Sequence, residues 1–331
     1  MAGLAVAQRK DKEKDQDYSI PLDRFYVDRE GPSWIRIMLS KVNFGLSTGY
    51  GRTTFRHELT GFSLSQPTSG QPLLFNPATP AVGYNNWFNQ LTPVTITPSP
   101  SDYIVSSDTA SIGFRNRSFQ IPVRATLHVE VGKFRIGGGY SLDFTRVGDF
   151  ESIYDPENIS NFVPDIESFT LRKYFLLAGV SVYRYDNYLL TADINLGGYG
   201  LGNKFDNTII DRGMFFNLGA TLERDMSEYF RLFIRPSYEI KGYDLTIAEA
   251  GRSIRHQMNA FNLHVGATYR IPELRKCFIP ECRAQINHAH GNREYRSRVH
   301  PIYKKQNPHY GENYPNLIKY KGKNKRKLNP Y

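Results

Sequence analysis

From residue 119 the chain alternates strictly. Phe119, Ile121, Val123, Ala125, Leu127, Val129 and Val131 occupy every second position, with Gln120, Arg124, Thr126, His128 and Glu130 between them. After Gly132-Lys133 the alternation restarts as Phe134, Ile136, Gly138, Tyr140, Leu142 and Phe144. A period of two belongs to a strand with one apolar face, so this stretch predicts two long strands joined by a tight turn. The same pattern recurs and predicts eight strands, at about residues 34–57, 112–131, 134–147, 168–185, 188–202, 214–224, 229–243 and 258–271. Several are longer than the roughly 9–11 residues a tilted strand needs to cross a bilayer, and longer than the usual strand of about 5–6.

The connections narrow the fold. After the second, fourth and sixth strands the links are minimal: Gly132-Lys133, Asp186-Asn187 and Asp225 to Glu228. All the others are long. Barrels of outer membranes show this alternation, because one rim carries short turns and the other extended external loops. The first long link, residues 58 to 111, contains Phe75, Tyr84, Trp87 and Phe88. It is too long and too aromatic to be slack, and predicts either a folded lid or a docking surface.

The polar faces of the strands are unusually charged. Arg124, Glu130, Arg135, Asp143, Asp193, Glu223, Arg231, Arg235, Glu239 and Arg270 all fall opposite the apolar positions. In a closed barrel with an apolar exterior these residues must point inward. Eight strands enclose a space just wide enough for side chains, so the pattern predicts a plugged barrel with internal ion pairs rather than a pore. Aromatic residues at the short turns, Phe134, Tyr185, Tyr188 and Tyr229, suit an interfacial girdle. Three details fit less simply. Pro122 and Pro236 interrupt strands and predict bulges. The apolar parity also changes between Ile35-Ile37-Leu39 and Val42-Phe44-Leu46, so the first strand either bulges near Ser40 or starts later.

Composition agrees with an all-β chain: 331 residues, 14% aromatic, with 22 Tyr, 21 Phe and 27 Gly. The mean hydropathy of −0.48 argues against membrane-spanning helices but not against a barrel, whose strands need only one apolar face. Ala5-Val6-Ala7 before Gln8 has the form of an export cleavage site, and residues 1–7 read as the remnant of a signal peptide, followed by a periplasmic segment over 8–33. The barrel is assigned to 34–274. The net charge of +10 is all contained in the last 60 residues, 272–331, which hold 14 Lys and Arg against 4 Glu.

That tail, 275–331, has six Tyr from residue 286 onward, repeated Pro and no hydrophobic period, so it cannot build a core alone. Arg293, Tyr295, Arg296, Arg298, Tyr303, Lys304, Lys305, Tyr310, Tyr314, Tyr320, Lys325, Arg326 and Lys327 are its candidate partner-binding residues, suited to an acidic protein surface. Cys277 and Cys282 predict a small disulfide loop. The alternative reading adds His288 and His290, giving C-x4-C-x5-H-x-H, four ligands of the kind zinc accepts at a spacing that is not a familiar zinc pattern. A second site reading places His57 and Glu58 beside Ser253 and His256 at the outer rim, as a lipid-modifying centre. No phosphate-loop, nucleophile-elbow or H-E-x-x-H signature is present.

Gln8 after Ala-Val-Ala, the segment FNLGATLERDMSEYFRLFIRPSYEIKG and the final strand FNLHVGATYRIPEL resemble the small outer-membrane β-barrel proteins of Bacteroidota, over about residues 34–274. The resemblance implies barrels of the type IX secretion and gliding machinery or of other envelope machines. Such barrels commonly end at the last strand, and this chain does not. The combined expectation is an all-β, eight-stranded antiparallel transmembrane β-barrel with an extended, largely irregular C-terminal tail. It is a non-enzymatic accessory or scaffold subunit in the outer membrane, its tail in the periplasm, with protein and lipid partners, no nucleic acid, no cofactor and no assigned metal.

Overall fold

The computed structural model describes residues 31–296 apart from 98, 186, 228, 280, 281, 283–286 and 292. The expectations for residues 1–30 and for tail positions from Arg298 onward therefore lie outside the described residues. The chain divides into two compact units, Ser40–Ile271 and a second made of the segments before and after it.

A short helix, α1 (Trp34–Lys41), opens the described chain. Its first turn is closed by the Arg36 and Ile37 amides, which donate to the Ser33 carbonyl at 2.8 and 3.1 Å. Trp34, Ile35, Met38 and Leu39 are exposed and, at helical spacing, share one face. This corrects the start of the first strand. Ile35, Ile37 and Leu39 alternate by accident inside a helix, and the change of parity near Ser40 marks the helix-to-strand junction rather than a bulge. Among the described residues no helix is long and apolar enough to cross a membrane.

The larger unit is built on eight long strands: β1 (Val42–Glu58), β2 (Gly113–Val131), β3 (Phe134–Arg146), β4 (Ser168–Tyr185), β5 (Tyr188–Gly200), β6 (Phe215–Asp225), β7 (Phe230–Ile240) and β8 (Arg252–Arg270). Each pairs antiparallel with its neighbour in sequence, and β8 pairs back onto β1, closing the ring. Following the register once round, Asn43 leads through His128, Gly137, Leu177, Asn195, Asn217, Glu239 and Ala260 to Thr53, so the circuit returns 10 residues along β1. A stagger of this kind is what tilts barrel strands by about 35–45°.

The polarity is inverted relative to a soluble barrel. On β2 the outward residues from Phe119 to Val131 are apolar and mostly exposed, while Gln120, Arg124 and His128 are buried. On β3 Phe134, Ile136, Tyr140 and Phe144 face out, and Arg135, Ser141 and Asp143 face in. The outward apolar belt ends on the long-loop side at Arg52, Arg117, Arg146 and Arg172, all exposed. At the opposite rim Phe134, Tyr185 and Tyr188 are exposed, and Tyr229 stacks on Tyr269 at 6.0 Å. An apolar band flanked by aromatic and basic residues is a surface for hydrocarbon with headgroups at its edges. Gly132 takes a φ of 62° in the two-residue link between β2 and β3, where positive φ at the first central position matches the twist of the hairpin.

The two prolines do not make bulges. Opposite Pro122 the β1–β2 ladder omits the pairs of Gly49 and Tyr50 and then resumes in the same register, while pairing with β3 is unbroken. Pro236 likewise interrupts β6–β7 and leaves β7–β8 intact. A missing N–H removes a bond from one side of a strand only, and the other side keeps the register. In the barrel the register shifts instead between Ser181 and Tyr183, near the end of β4.

Candidate functional site

The bore of the barrel contains three charged layers. Nearest the short turns, Arg135 bridges Glu130 at 2.8 Å and Glu223 at 2.7 Å, and Arg231 bridges Glu130 at 2.7 Å and Asp225 at 2.8 Å. In the middle layer Asp193 accepts from Arg235 Nε at 2.8 Å and from Thr221 Oγ1 at 2.7 Å, while Arg235 also donates to Asn217 at 2.6 Å. Arg124 donates to Asn195 at 3.2 Å. Above these, Lys173 lies between Asp143 at 2.5 Å and Glu239 at 2.7 Å, and Lys241 holds the other Glu239 oxygen at 2.5 Å. Six cations thus meet six carboxylates in these three layers. Arg270 is half-buried at the short-turn end of β8. Between the layers a cavity of about 30 Å³, lined by Arg124, Arg135, Asp193, Glu223 and Arg235 among others, has room for about one water.

Glycines make room for this packing. A side chain at Gly139 would press on the Phe175 ring and the Ala125 carbonyl, each 2.6 Å from its first carbon. One at Gly219 would strike the Arg235 guanidinium.

Toward the long loops the filling changes from charged to aromatic. The first long link folds into a five-stranded sheet with the order Thr92–Thr95, Val82–Asn86, Leu73–Phe75, Ser63–Gln66, Tyr103–Ser106. It is a lid whose buried side chains share one hydrophobic core with the upper barrel strands. Asn86 starts a turn by accepting the Phe88 amide at 3.1 Å, and its amide group donates to Asn89 at 2.9 Å and Asp165 at 2.7 Å. That turn sends Trp87 and Phe88 inward, both fully buried. Trp87 stacks on Phe162 at 4.0 Å, and Phe88 packs edge-on to Phe55 and Phe205 at 5.7 Å. Tyr243 donates to the Phe88 carbonyl at 2.5 Å. The charged and aromatic halves meet through Arg124, 4.3 Å above the Phe175 ring, and Lys173, 5.3 Å above Phe215.

At the lid's margin Tyr103 donates to Asp155 at 2.7 Å, joining the first long link to the second. Bonds from Asn158 and then Tyr103 hold the Asp155 carboxyl below its usual value, and the same contact pushes the Tyr103 phenol up to about 12.

The residues considered for a lipid-modifying centre do not converge. His57 and His256 are register partners, fully buried with ring centroids 4.3 Å apart, and are walled in by Phe88, Phe150 and Tyr243. Glu58 and Ser253 have the outward parity of β1 and β8, the face opposite the two histidines. Glu58 accepts from Gln257 at 3.1 Å.

The second unit carries a different constellation. No disulfide joins Cys277 and Cys282, so the expected loop is not formed. Each sulfur faces an imidazole instead. Cys277 Sγ lies 3.4 Å from His290 Nε2, and Cys282 Sγ lies 3.1 Å from His288 Nε2. One ligand atom from each of the four residues falls within 4.8 Å of all the others. Of the tail residues singled out for partner binding, Arg293, Tyr295 and Arg296 are described. They form the strand Arg293–Arg296, which pairs with His288–His290 and with Arg275–Lys276. Arg296 is buried and donates to the Leu274 carbonyl at 3.1 Å, a structural rather than a surface role.

Sequence reasoning missed Lys173. Arg172 and Lys173 are adjacent, so one must face out, but in FTLRKYFLLAG both faces are apolar enough that alternation alone does not choose. The register does: Lys173 pairs opposite Ser141, beside the inward Asp143.

No family model matches the sequence, and no curated protein matches it. Among solved structures the chain is similar to the outer membrane protease OmpT of Escherichia coli, at 14% identity over 70% of this chain and 97% of that one, with a TM-score of 0.33. It is also similar to the outer membrane protein OprG of Pseudomonas aeruginosa, at 8% identity over 70% and 96%, TM-score 0.33. The outer membrane protein AlkL aligns at 12% identity over 70% and 90%, again with a TM-score of 0.33.

Proposed function

We propose that this chain is a non-conducting, non-enzymatic anchor of the outer membrane, acting as an accessory or scaffold subunit of an envelope protein machine. The observation that carries this reading is the filled bore. Charged layers occupy one half and the Trp87–Phe88 lid closes the other, so the molecule offers partners its surfaces rather than a passage. The outward arginines support the orientation. Arg52, Arg117 and Arg146 border a groove with Tyr50 and Phe119, where the apolar belt meets the anionic headgroups of an outer leaflet. With the long loops external, the short turns face the periplasm. β1 begins and β8 ends at that rim, so the basic tail continues into the periplasm, where its Tyr and Lys residues would bind an acidic protein partner. The resemblance to Bacteroidota barrels points to outer-membrane protein assembly or type IX secretion and gliding as the kind of machine.

Two measurements test the reading. In planar bilayers the purified chain should give no stepwise conductance, and stable single-channel currents would overturn the sealed-bore account. Affinity purification in detergent should recover envelope proteins with the full chain and lose them when residues 297–331 are removed. Equal recovery with both chains would exclude the tail as the tether.

A further inference from the structure

Among its described residues the terminal unit has no apolar core of the kind that normally holds a fold together. Apart from Pro272, Cys277 and Arg296, its described residues after Ile271 are not buried, and strands of two to four residues cannot supply a core. Its side chains nevertheless converge on one point. His288 and His290 are two apart on a strand and so project from the same side. The hairpin that carries them turns at Gly291, with φ 62°, and returns along Arg293–Arg296. The backbone N–H of Cys277 donates to the Arg296 carbonyl at 3.2 Å, setting the first sulfur beside this hairpin, and Cys282 closes a turn onto the Ile279 carbonyl at 3.2 Å.

We propose that Cys277, Cys282, His288 and His290 form a closed tetrahedral site for a divalent d10 cation, Zn2+. With Zn–S of about 2.3 Å and Zn–N of about 2.0–2.1 Å, tetrahedral ligands lie roughly 3.3–3.8 Å apart. The sulfur–nitrogen separations of 3.4 and 3.1 Å, and the 4.8 Å bound on all pairs, need only small adjustment to reach that geometry. Two thiolates and two neutral imidazoles suit this metal, while hard cations such as Mg2+ or Ca2+ demand oxygen. Binding releases the two thiol protons, and the charge of the ion is balanced by the two thiolates. Four protein ligands leave no open position, so the site is structural: the ion replaces the missing core and orders the segment from Leu274 to Arg296. The inference is independent of the scaffold reading, because it concerns how the unit folds and not what it binds.

The test uses the full chain purified in detergent under a phosphine reductant, then dialysed against Zn2+ and freed of excess. Elemental analysis should find about one Zn2+ per chain, and both thiols should resist alkylation until a chelator is added. Co2+ in place of Zn2+ should give the visible absorption of a tetrahedral ion together with thiolate charge-transfer bands. Cys282→Ser and His290→Ala should each weaken binding by more than about 100-fold, beyond the 10–100-fold of an outer-shell change, while the barrel keeps its heat-modifiable migration in gels. Stoichiometric metal in the doubly substituted Cys277→Ser/Cys282→Ser chain would place the ion elsewhere and overturn the proposal. So would thiols that alkylate freely after Zn2+ dialysis, or a reduced chain that retains no metal.

Discussion

The two halves of the bore solve the same packing problem with opposite chemistry. Near the short turns the barrel is filled by Glu130, Arg135, Asp193, Arg235, Glu239 and their partners. Near the long loops it is filled by Phe55, Trp87, Phe88, Phe162 and Phe205, which form an ordinary hydrophobic core. The difference follows from what lies outside each half. The charged half is encircled by the apolar belt, and the inward positions of its strands are mostly polar, with Leu177 and Leu189 among the exceptions. The aromatic half projects past the ring of outward arginines. There the strands face water, and the interior can be apolar as in a soluble protein. Bore chemistry is therefore dictated by the solvent on the outer face.

The comparison can be broken experimentally. The largest effect is expected from Lys173→Met, which leaves Asp143 and Glu239 both facing a neutral side chain. Breaking a buried pair costs about 3–5 kcal/mol, and urea unfolding of the barrel in detergent should show a loss at or above that range. A loss under about 1 kcal/mol, the scale of an exposed pair, would mean that water fills the charged half. Next, Trp87→Ala should cost about 3–5 kcal/mol by opening a cavity in the aromatic half. Its loss should be unaffected by salt, and intact channels appearing with it would identify the lid as the seal. Gly139→Val should destabilise by about 1–3 kcal/mol through overpacking against Phe175 and the Ala125 carbonyl. The smallest effect belongs to the Tyr103–Asp155 bond at the exposed margin. Asp155 has its folded pKa below the ordinary 3.8, so its contribution is complete above that value and fades as pH falls through the folded pKa. Tyr103 is raised from 10.0 to about 12, so its share is present below pH 10 and is lost as pH rises toward 12. In Tyr103→Phe the alkaline dependence should vanish from the protease sensitivity of the lid, while the acid one should shrink but persist, because Asn158 still donates to Asp155.

How far the chain could be read without its structure depended on whether a local period carried the signal. β2, β3 and β4 fall where alternation placed them, because a period of two with one apolar face has a single interpretation in a closed barrel. β1 was placed too early, because Ile35, Ile37 and Leu39 alternate within a helix only eight residues long. The inward charges were legible as a face, but their partners were not. The pairing of Glu239 with Lys173 across the bore depends on stagger and radius, which no local window contains. The lid was legible as an aromatic link of unusual length, whereas its sheet rests on pairings such as Leu64 with Val105 that link distant parts of the loop. The four candidate ligands of the terminal unit were visible in their spacing. That they meet, and that the cysteines do not join each other, depends on a hairpin too short to leave a periodic trace.

The prolines in β2 and β7 divide the ring mechanically. Two ladders, β1–β2 and β6–β7, each lack a pair of consecutive rungs, so the cylinder consists of a five-strand arc from β2 to β6 and a three-strand arc of β7, β8 and β1. These seams are where sideways parting would start, and amide deuterium uptake should begin along them before the other six junctions yield.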